Sequence, residues 1–271
     1  MRRIIVCADD YALSPGVSRA IRELVSHGRL NAVSLMTVIP GFEQECAALL
    51  STPGPISIAI GLHATLTGSF APMAASPIAT PDGKFPPLAK LLPPLGFLRI
   101  DRQAVKTEIK AQIAAFRKAC GRAPDFVDGH QHVQLMPGVR VPFLEAVSEA
   151  APKAWVRQCG AAPGASAHGG KARFLEFLSR GFRRRAEKLG ITFNPAFSGA
   201  YDFSTAENFS ALFARFLDGL PERGVVMCHP GFVDAELVAR DSLTDRREAE
   251  YKFLAGKDFP AVLARAGATL A

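Results

Sequence analysis

Four apolar runs punctuate this chain, and each turns polar at its C-terminal end. Ile4-Ile5-Val6-Cys7-Ala8 leads into Asp9 and Asp10, and Ile56-Ser57-Ile58-Ala59-Ile60 leads into Gly61 and His63. Phe126-Val127 leads into Asp128 and His130, and Val225-Val226-Met227-Cys228 leads into His229. Such unbroken apolarity marks strands buried on both faces, as in a parallel sheet covered by helices. Between the runs the period becomes helical. Ser14-Pro15 reads as an N-cap with proline at the first helical position, opening a helix to about Ser26 that stops at Gly28. After Asp101, Val105, Ile109, Ile113 and Phe116 repeat at helical spacing. Further strands are predicted over 31–38, 154–157 and 191–197, with helices over 41–50, 139–150 and 209–217, a basic helix ending near Leu189, and a last one from about Phe259.

Strand and helix alternating throughout predict an α/β protein with a parallel sheet, closed or open. Functional residues leave strands one, three, four and seven and must converge, which a ring achieves more readily than an open sheet. No glycine-rich dinucleotide fingerprint follows the first strand. The expectation is therefore a distorted (β/α) barrel, one domain over residues 1–271. Two stretches break the rhythm. Residues 64–100 carry Pro72, Pro77, Pro81, Pro86, Pro87, Pro93 and Pro94, and residues 158–171 are rich in glycine and alanine. Both read as substrate loops, the first because it directly follows His63.

Composition narrows the class. Hydrophobic residues make up 48% and charged residues 21%, a globular balance without a stretch long enough for a membrane span. The start runs straight into a strand, which reads as a cytoplasmic enzyme rather than a signal peptide. Five scattered cysteines (Cys7, Cys46, Cys120, Cys159, Cys228) without a C-x-x-C pair are expected as buried reduced thiols. The net charge of +7 raises nucleic acid as a partner. Its densest cluster, Arg183-Arg184-Arg185, sits in a helical segment without interleaved aromatics, and reads as a solvated face. No nucleic-acid partner is expected; oligomeric state, a homo-oligomer included, is not legible.

Two acids and three imidazoles placed just past buried runs are the ingredients of a divalent-metal site. Each has a structural alternative: Asp9-Asp10 as a helix cap or turn, His63 or His130 as a satisfied core histidine, His229 as the close of a strand before Pro230-Gly231. Asp128 and His132 suit support of a metal-ligating neighbour. Arg157, ending the fifth strand, is open to pairing with Asp9 or Asp128 or to binding substrate. His27 and His168 receive no role. Tyr11, Phe70, Phe85, Phe97 and Phe232 are candidates for a sugar-stacking surface.

Taken together, Ala8-Asp9-Asp10-Tyr11, Gly61-Leu62-His63 followed by Leu66-Thr67, Asp128-Gly129-His130-Gln131-His132-Val133 and Cys228-His229-Pro230-Gly231-Phe232 resemble the YdjC/ChbG family of carbohydrate deacetylases, including its hopanoid-associated branch. The resemblance runs in order over almost the whole chain. It implies a barrel of the glycoside hydrolase/deacetylase type and a carbohydrate N-deacetylase, a hydrolase of the linear amide C–N bond. Asp10, His63 and His130 match the metal ligands of the family, Asp9 its general base and His229 its general acid. It leans toward magnesium, whereas two imidazoles lean toward zinc, manganese or cobalt. The family commonly writes His where this chain has Gln131 and Gln134, so a different substrate-facing surface is expected.

The chemistry is consistent with that assignment. A metal polarises the amide carbonyl and acidifies a water, a second carboxylate accepts the water's proton, and a histidine protonates the departing amine. Asp9 and Asp10 suit the division because successive strand residues point to different sides. The partner is then an N-acetylated saccharide. The rival readings are a metal-dependent phosphoesterase and a non-catalytic sugar-binding protein.

Overall fold

The fold is that of a computed structural model, described for all residues except 76–77, 92–99, 163–168, 206 and 271. Its strands are β1 (Arg2–Tyr11), β2 (Ala32–Leu35), β3 (Ala59–Ala64), β4 (Phe126–Gly129), β5 (Trp155–Val156), β6 (Phe197–Ser198), β7 (Val225–Cys228) and β8 (Ala268–Leu270). They lie in the order β5-β4-β3-β2-β1-β7-β6, with β8 beside the first residues of β1, and the pairings are parallel. The two ends of this order curl toward each other. Val156 bridges Phe193, and the amide of Phe197 donates to Gly160 O at 2.9 Å, so the segment entering β6 also touches the end of β5. The result is the curled, barrel-like parallel sheet with helices that the alternation predicts.

The helices are α1 (Pro15–Ser26), α2 (Phe42–Leu50), α3 (Arg102–Cys120), α4 (Arg140–Ala150), α5 (Gly169–Lys188), α6 (Phe209–Phe216), α7 (Ala235–Arg240), α8 (Arg247–Ala255) and α9 (Asp258–Arg265). Ser14 caps α1, its side chain accepting from the Val17 amide, and Asp101 caps α3 through the amides of Gln103 and Ala104. These caps satisfy first-turn donors that have no partner within the helix. The exposed arginines at 184 and 185 lie on α5 as the solvated face expected of them. Residues 169–171 open this helix rather than ending a loop.

Several predicted boundaries shift, and the shifts concern the site. β1 continues through Asp9 and Asp10, and β3 starts at Ala59 and runs through His63, so these polar residues lie within strands rather than after them. Buried polar side chains that bond to one another do not end a strand, although in sequence they imitate its end. Gly61 of β3 is required by close approach, since a Cβ there would fall 2.3 Å from Cε2 of Phe126 on the neighbouring β4. Among the cysteines, Cys7, Cys159 and Cys228 are free and buried, but Cys46 and Cys120 form a disulfide. The packing of α2 against α3 brings their Cα atoms to 6.3 Å across 74 residues of sequence, a pairing no spacing rule reveals.

Candidate active site

The decisive local feature is a bulge in β1. Cys7 and Ala8 pair with Ala32 and Val33, yet Tyr11 pairs with Leu35, so β1 carries an extra residue across Asp9 and Asp10. Asp10 takes the left-handed conformation, with φ of 64°. In a regular strand Asp9 and Asp10 would face opposite sides, as the sequence leads one to expect. The bulge turns both toward one cavity instead, a common use of bulges beside active sites.

That cavity, of about 260 Å³, is lined by Asp9, Asp10, His63, His130, His132 and His229, together with Gln131, Leu88, Phe203, Met227 and the segment Asp241-Ser242-Leu243. Six sequence-selected residues thus share one wall system. Asp128 and Arg157, fully buried, lie behind it. Gln131 lines the cavity, whereas Gln134 turns away and donates to Arg157 O at 3.1 Å. Of the proposed stacking aromatics, Tyr11, Phe70, Phe85 and Phe232 do not line it; Phe97 and His168 fall outside the described residues. Phe203, which no motif marks, does line it, with its ring edge-on to His229 at 5.5 Å between centroids.

Asp10 is the hub of one half. Its Oδ1 lies 3.2 Å from His63 Nε2 and 3.0 Å from His130 Nδ1, and all three side chains are buried. Ligands at right angles around a single ion with bonds of about 2.1 Å stand about 3.0 Å apart, so these donors fit neighbouring positions on one divalent cation. The far side of His63 supports the fit. Its Nδ1 donates to Asp128 Oδ1 at 2.7 Å, and the same oxygen accepts from Ser34 Oγ at 2.6 Å. A ligating histidine is usually oriented by such a carboxylate. Burial alone depresses the His63 pKa, but Asp128, Asp9 and the hydrogen bond to Asp10 outweigh it and carry it to about 10. Burial likewise pushes Asp10 up, and the charge of Arg247 with the bonds from His130 and His63 holds it well below the usual carboxylate range.

Asp9 belongs to a different arrangement. The Arg157 guanidinium grips both of its oxygens, Nη1 to Oδ1 at 2.7 Å and Nη2 to Oδ2 at 2.6 Å. Arg157 Nη1 also lies 3.0 Å from Asp128 Oδ2 as an ion pair, without the angle of a hydrogen bond. Both sequence options for a carboxylate partner are therefore realised. Burial raises the Asp9 pKa more than Arg157 and His63 lower it, whereas Arg157 and His63 prevail at Asp128 and hold it low. Cys7, Asp9 and Asp128 also lie close enough to hold a cation, but Arg157 already supplies the positive charge there.

His132, at φ of 58°, sits with its Nδ1 3.5 Å from Cys159 Sγ and its ring edge-on to Phe197. Beside His130 and Gln131, it lines the cavity.

Sequence reasoning missed Ser34, Arg247 and Glu250. In sequence, Asp245-Arg246-Arg247-Glu248-Ala249-Glu250 reads as a solvated charge run, yet Arg247 and Glu250 are fully buried. Helical spacing of three offered the one clue. Glu250 accepts the His229 amide and the Tyr201 hydroxyl, each at 2.6 Å. Burial raises its pKa to about 7, against the opposing influence of those bonds and of Arg247 and Arg246. Between pH about 4.5 and about 7 the folded chain holds a proton here that the unfolded chain has lost, so stability falls as pH rises through this window. Glu250→Gln, which mimics the protonated form, is expected to gain about 3 kcal/mol on the parent over that interval. Urea unfolding at a series of pH values checks it; a pH-independent difference between the two proteins rejects the assignment.

Among the described residues no helix is long and apolar enough to cross a membrane. Comparison with known proteins places the chain. It is 36% identical over 155 residues to a human carbohydrate deacetylase, a match spanning 54% of this chain and 45% of the human protein. It therefore aligns with less than half the length of that relative, as it does for the mouse protein, at 47%. A carbohydrate deacetylase of Geobacillus stearothermophilus is 29% identical over 270 residues, covering 99% of this chain and 96% of that one. In structure, an Enterococcus faecalis V583 protein described as a candidate cellobiose-phosphate cleavage protein superposes with a TM-score of 0.77 at 21% identity, covering 100% and 97% of the two chains. That likeness concerns the fold. With residues 3–265 matching its family pattern, the chain belongs to the YdjC-like protein family.

Proposed function

We propose that this protein is a metal-dependent carbohydrate N-deacetylase, removing the acetyl group from an amino sugar, an N-acetylated oligosaccharide or a glycolipid. The observation that carries the reading is the convergence of Asp10 Oδ1, His63 Nε2 and His130 Nδ1 on one point of a cavity that Asp9 and His229 also line. Its relatives of human and Geobacillus stearothermophilus origin, both carbohydrate deacetylases by name, agree with it.

Asp10, His63 and His130 would hold the divalent ion, which when bound would polarise the amide carbonyl and lower the pKa of a water. Asp9 accepts the proton of the attacking water. Its orientation is set by the two-point grip of Arg157, and burial shifts its basicity upward, toward what proton abstraction near neutral pH requires. As the C–N bond breaks, His229 delivers a proton to the amine nitrogen, leaving acetate and a free amino sugar. Asp128 keeps His63 Nδ1 protonated so that Nε2 faces the ion. Gln131, Phe203, Leu88 and the 241–243 segment shape the saccharide-binding wall. A two-metal phosphoesterase needs a second cation position, and the cluster of Cys7, Asp9 and Asp128 is committed to Arg157.

Metal-stripped protein supplied in turn with Mg, Zn, Mn or Co is expected to release acetate from N-acetylated sugars only after an ion is restored. Acetate release indifferent to stripping and add-back, or turnover of phosphate esters in its place, rejects the reading.

A further inference from the structure

Arg247 carries a charge into the heart of the site from a segment outside the four motifs. It is fully buried at the start of α8, and its guanidinium makes three hydrogen bonds, two to carboxylates and one to a backbone carbonyl. Nη2 donates to Asp10 Oδ2 at 2.7 Å, the same nitrogen donates to Asp241 Oδ2 at 2.7 Å, and Nε donates to Leu243 O at 2.8 Å. Asp10 is thereby divided between its two oxygens. Oδ1 faces His63 and His130, while Oδ2 is taken by Arg247. Asp241 and Leu243 belong to the cavity wall. One turn further along α8, Glu250 holds the amide of His229.

We propose that Arg247 is a positioning residue that restricts Asp10 to a single-oxygen ligand and fixes the 241–243 wall in register with it. The inference rests on the metal-site reading above. Its physical basis is the rotation of a carboxylate about its last bond. With Oδ2 anchored, the plane of the Asp10 carboxylate is set before an ion arrives; without the anchor, either oxygen can turn to the histidines and that ordering must be supplied on binding. A guanidinium suits the task because its fixed fork reaches two carboxylates and a carbonyl, whereas an ammonium is a single point charge on a flexible stem.

The test is calorimetric titration of metal-stripped parent, Arg247→Lys and Arg247→Gln with Zn or Co alone, with visible absorption of the cobalt forms. Circular dichroism identifies which variants fold. Because loss of the charge threatens folding, Arg247→Lys, which keeps it, is the decisive variant. The expected result is folded Arg247→Lys with metal affinity reduced about 10- to 100-fold and an altered cobalt spectrum, reporting a changed ligand set. The spectrum of the bound cobalt reports its coordination separately from a fall in affinity alone. Arg247→Lys binding within threefold of the parent with an unchanged spectrum overturns the inference while leaving the metal site intact. A parent protein that binds neither ion overturns both.

Discussion

Asp9→Asn is expected to lower kcat for acetate release by about 10²- to 10⁴-fold, the usual contribution of a positioned general base. The substitution conserves shape and retains one oxygen to accept from Arg157, which keeps Asp128 as its second partner. What disappears is the charge proposed to take the proton from water. Asp9 shares no hydrogen bond with Asp10, His63 or His130, so an ion held by those three is expected to bind within a few-fold of its parent affinity. Steady-state kinetics with metal titration separates the two effects. Near-parental kcat would remove Asp9 from the chemistry, and lost metal binding would reassign it to the ion's surroundings.

Arg157→Met is expected to have the largest effect on stability. Arg157 has no solvent exposure and is the cation shared by two carboxylates, Asp9 and Asp128, that are themselves buried. Its guanidinium also sits 5.7 Å from the centre of the Phe197 ring. Removing one partner from a buried ion pair costs about 3–5 kcal/mol because the remaining charge is left in a poorly polarisable interior. In a chain of this size that corresponds to a fall in Tm of roughly 10 °C. The excess carboxylate charge is the cause, so adding Asp128→Asn to Arg157→Met is expected to recover part of the loss. Thermal and urea unfolding of Arg157→Met, Asp128→Asn and the double variant provide the cycle. A loss below about 1 kcal/mol for Arg157→Met, or no recovery in the double variant, would show that the cluster is not held by charge pairing.

How far the chain can be read without coordinates depends on the kind of feature. The runs at 4–8, 126–127 and 225–228 are visible because a strand buried on both faces has no polar position to confuse the pattern. Boundaries near the site were misplaced for the same reason. Asp9, Asp10 and His63 remain within β1 and β3, and their polarity is satisfied by one another and by Arg157 and Asp128 instead of by solvent. The helix carrying Arg247 and Glu250 escaped prediction altogether, since six charged or small residues in succession look solvated when their partners lie on other segments, Asp10 237 positions away and Tyr201 49 positions away.

Asp9 and Asp10 illustrate the division most clearly. Period-two alternation predicts opposite faces, and a single extra residue in the β1–β2 register, invisible in composition, puts both into the same cavity. Arg157 left three options in sequence and takes two of them at once in the fold. Cys46 and Cys120, read as separate thiols, meet because two helices pack side by side.

By itself, then, the amino-acid sequence determined the alternating parallel α/β plan, the curled sheet and the residue types that a metal-assisted hydrolase would need, because burial period and side-chain chemistry are local properties. Only the tertiary structure decided which carboxylate faces the histidines, which is gripped by Arg157, and that Arg247 reaches Asp10 across 237 positions of chain. Those choices depend on distances between strands and helices remote in sequence, and on which buried charges must neutralise one another once water is gone.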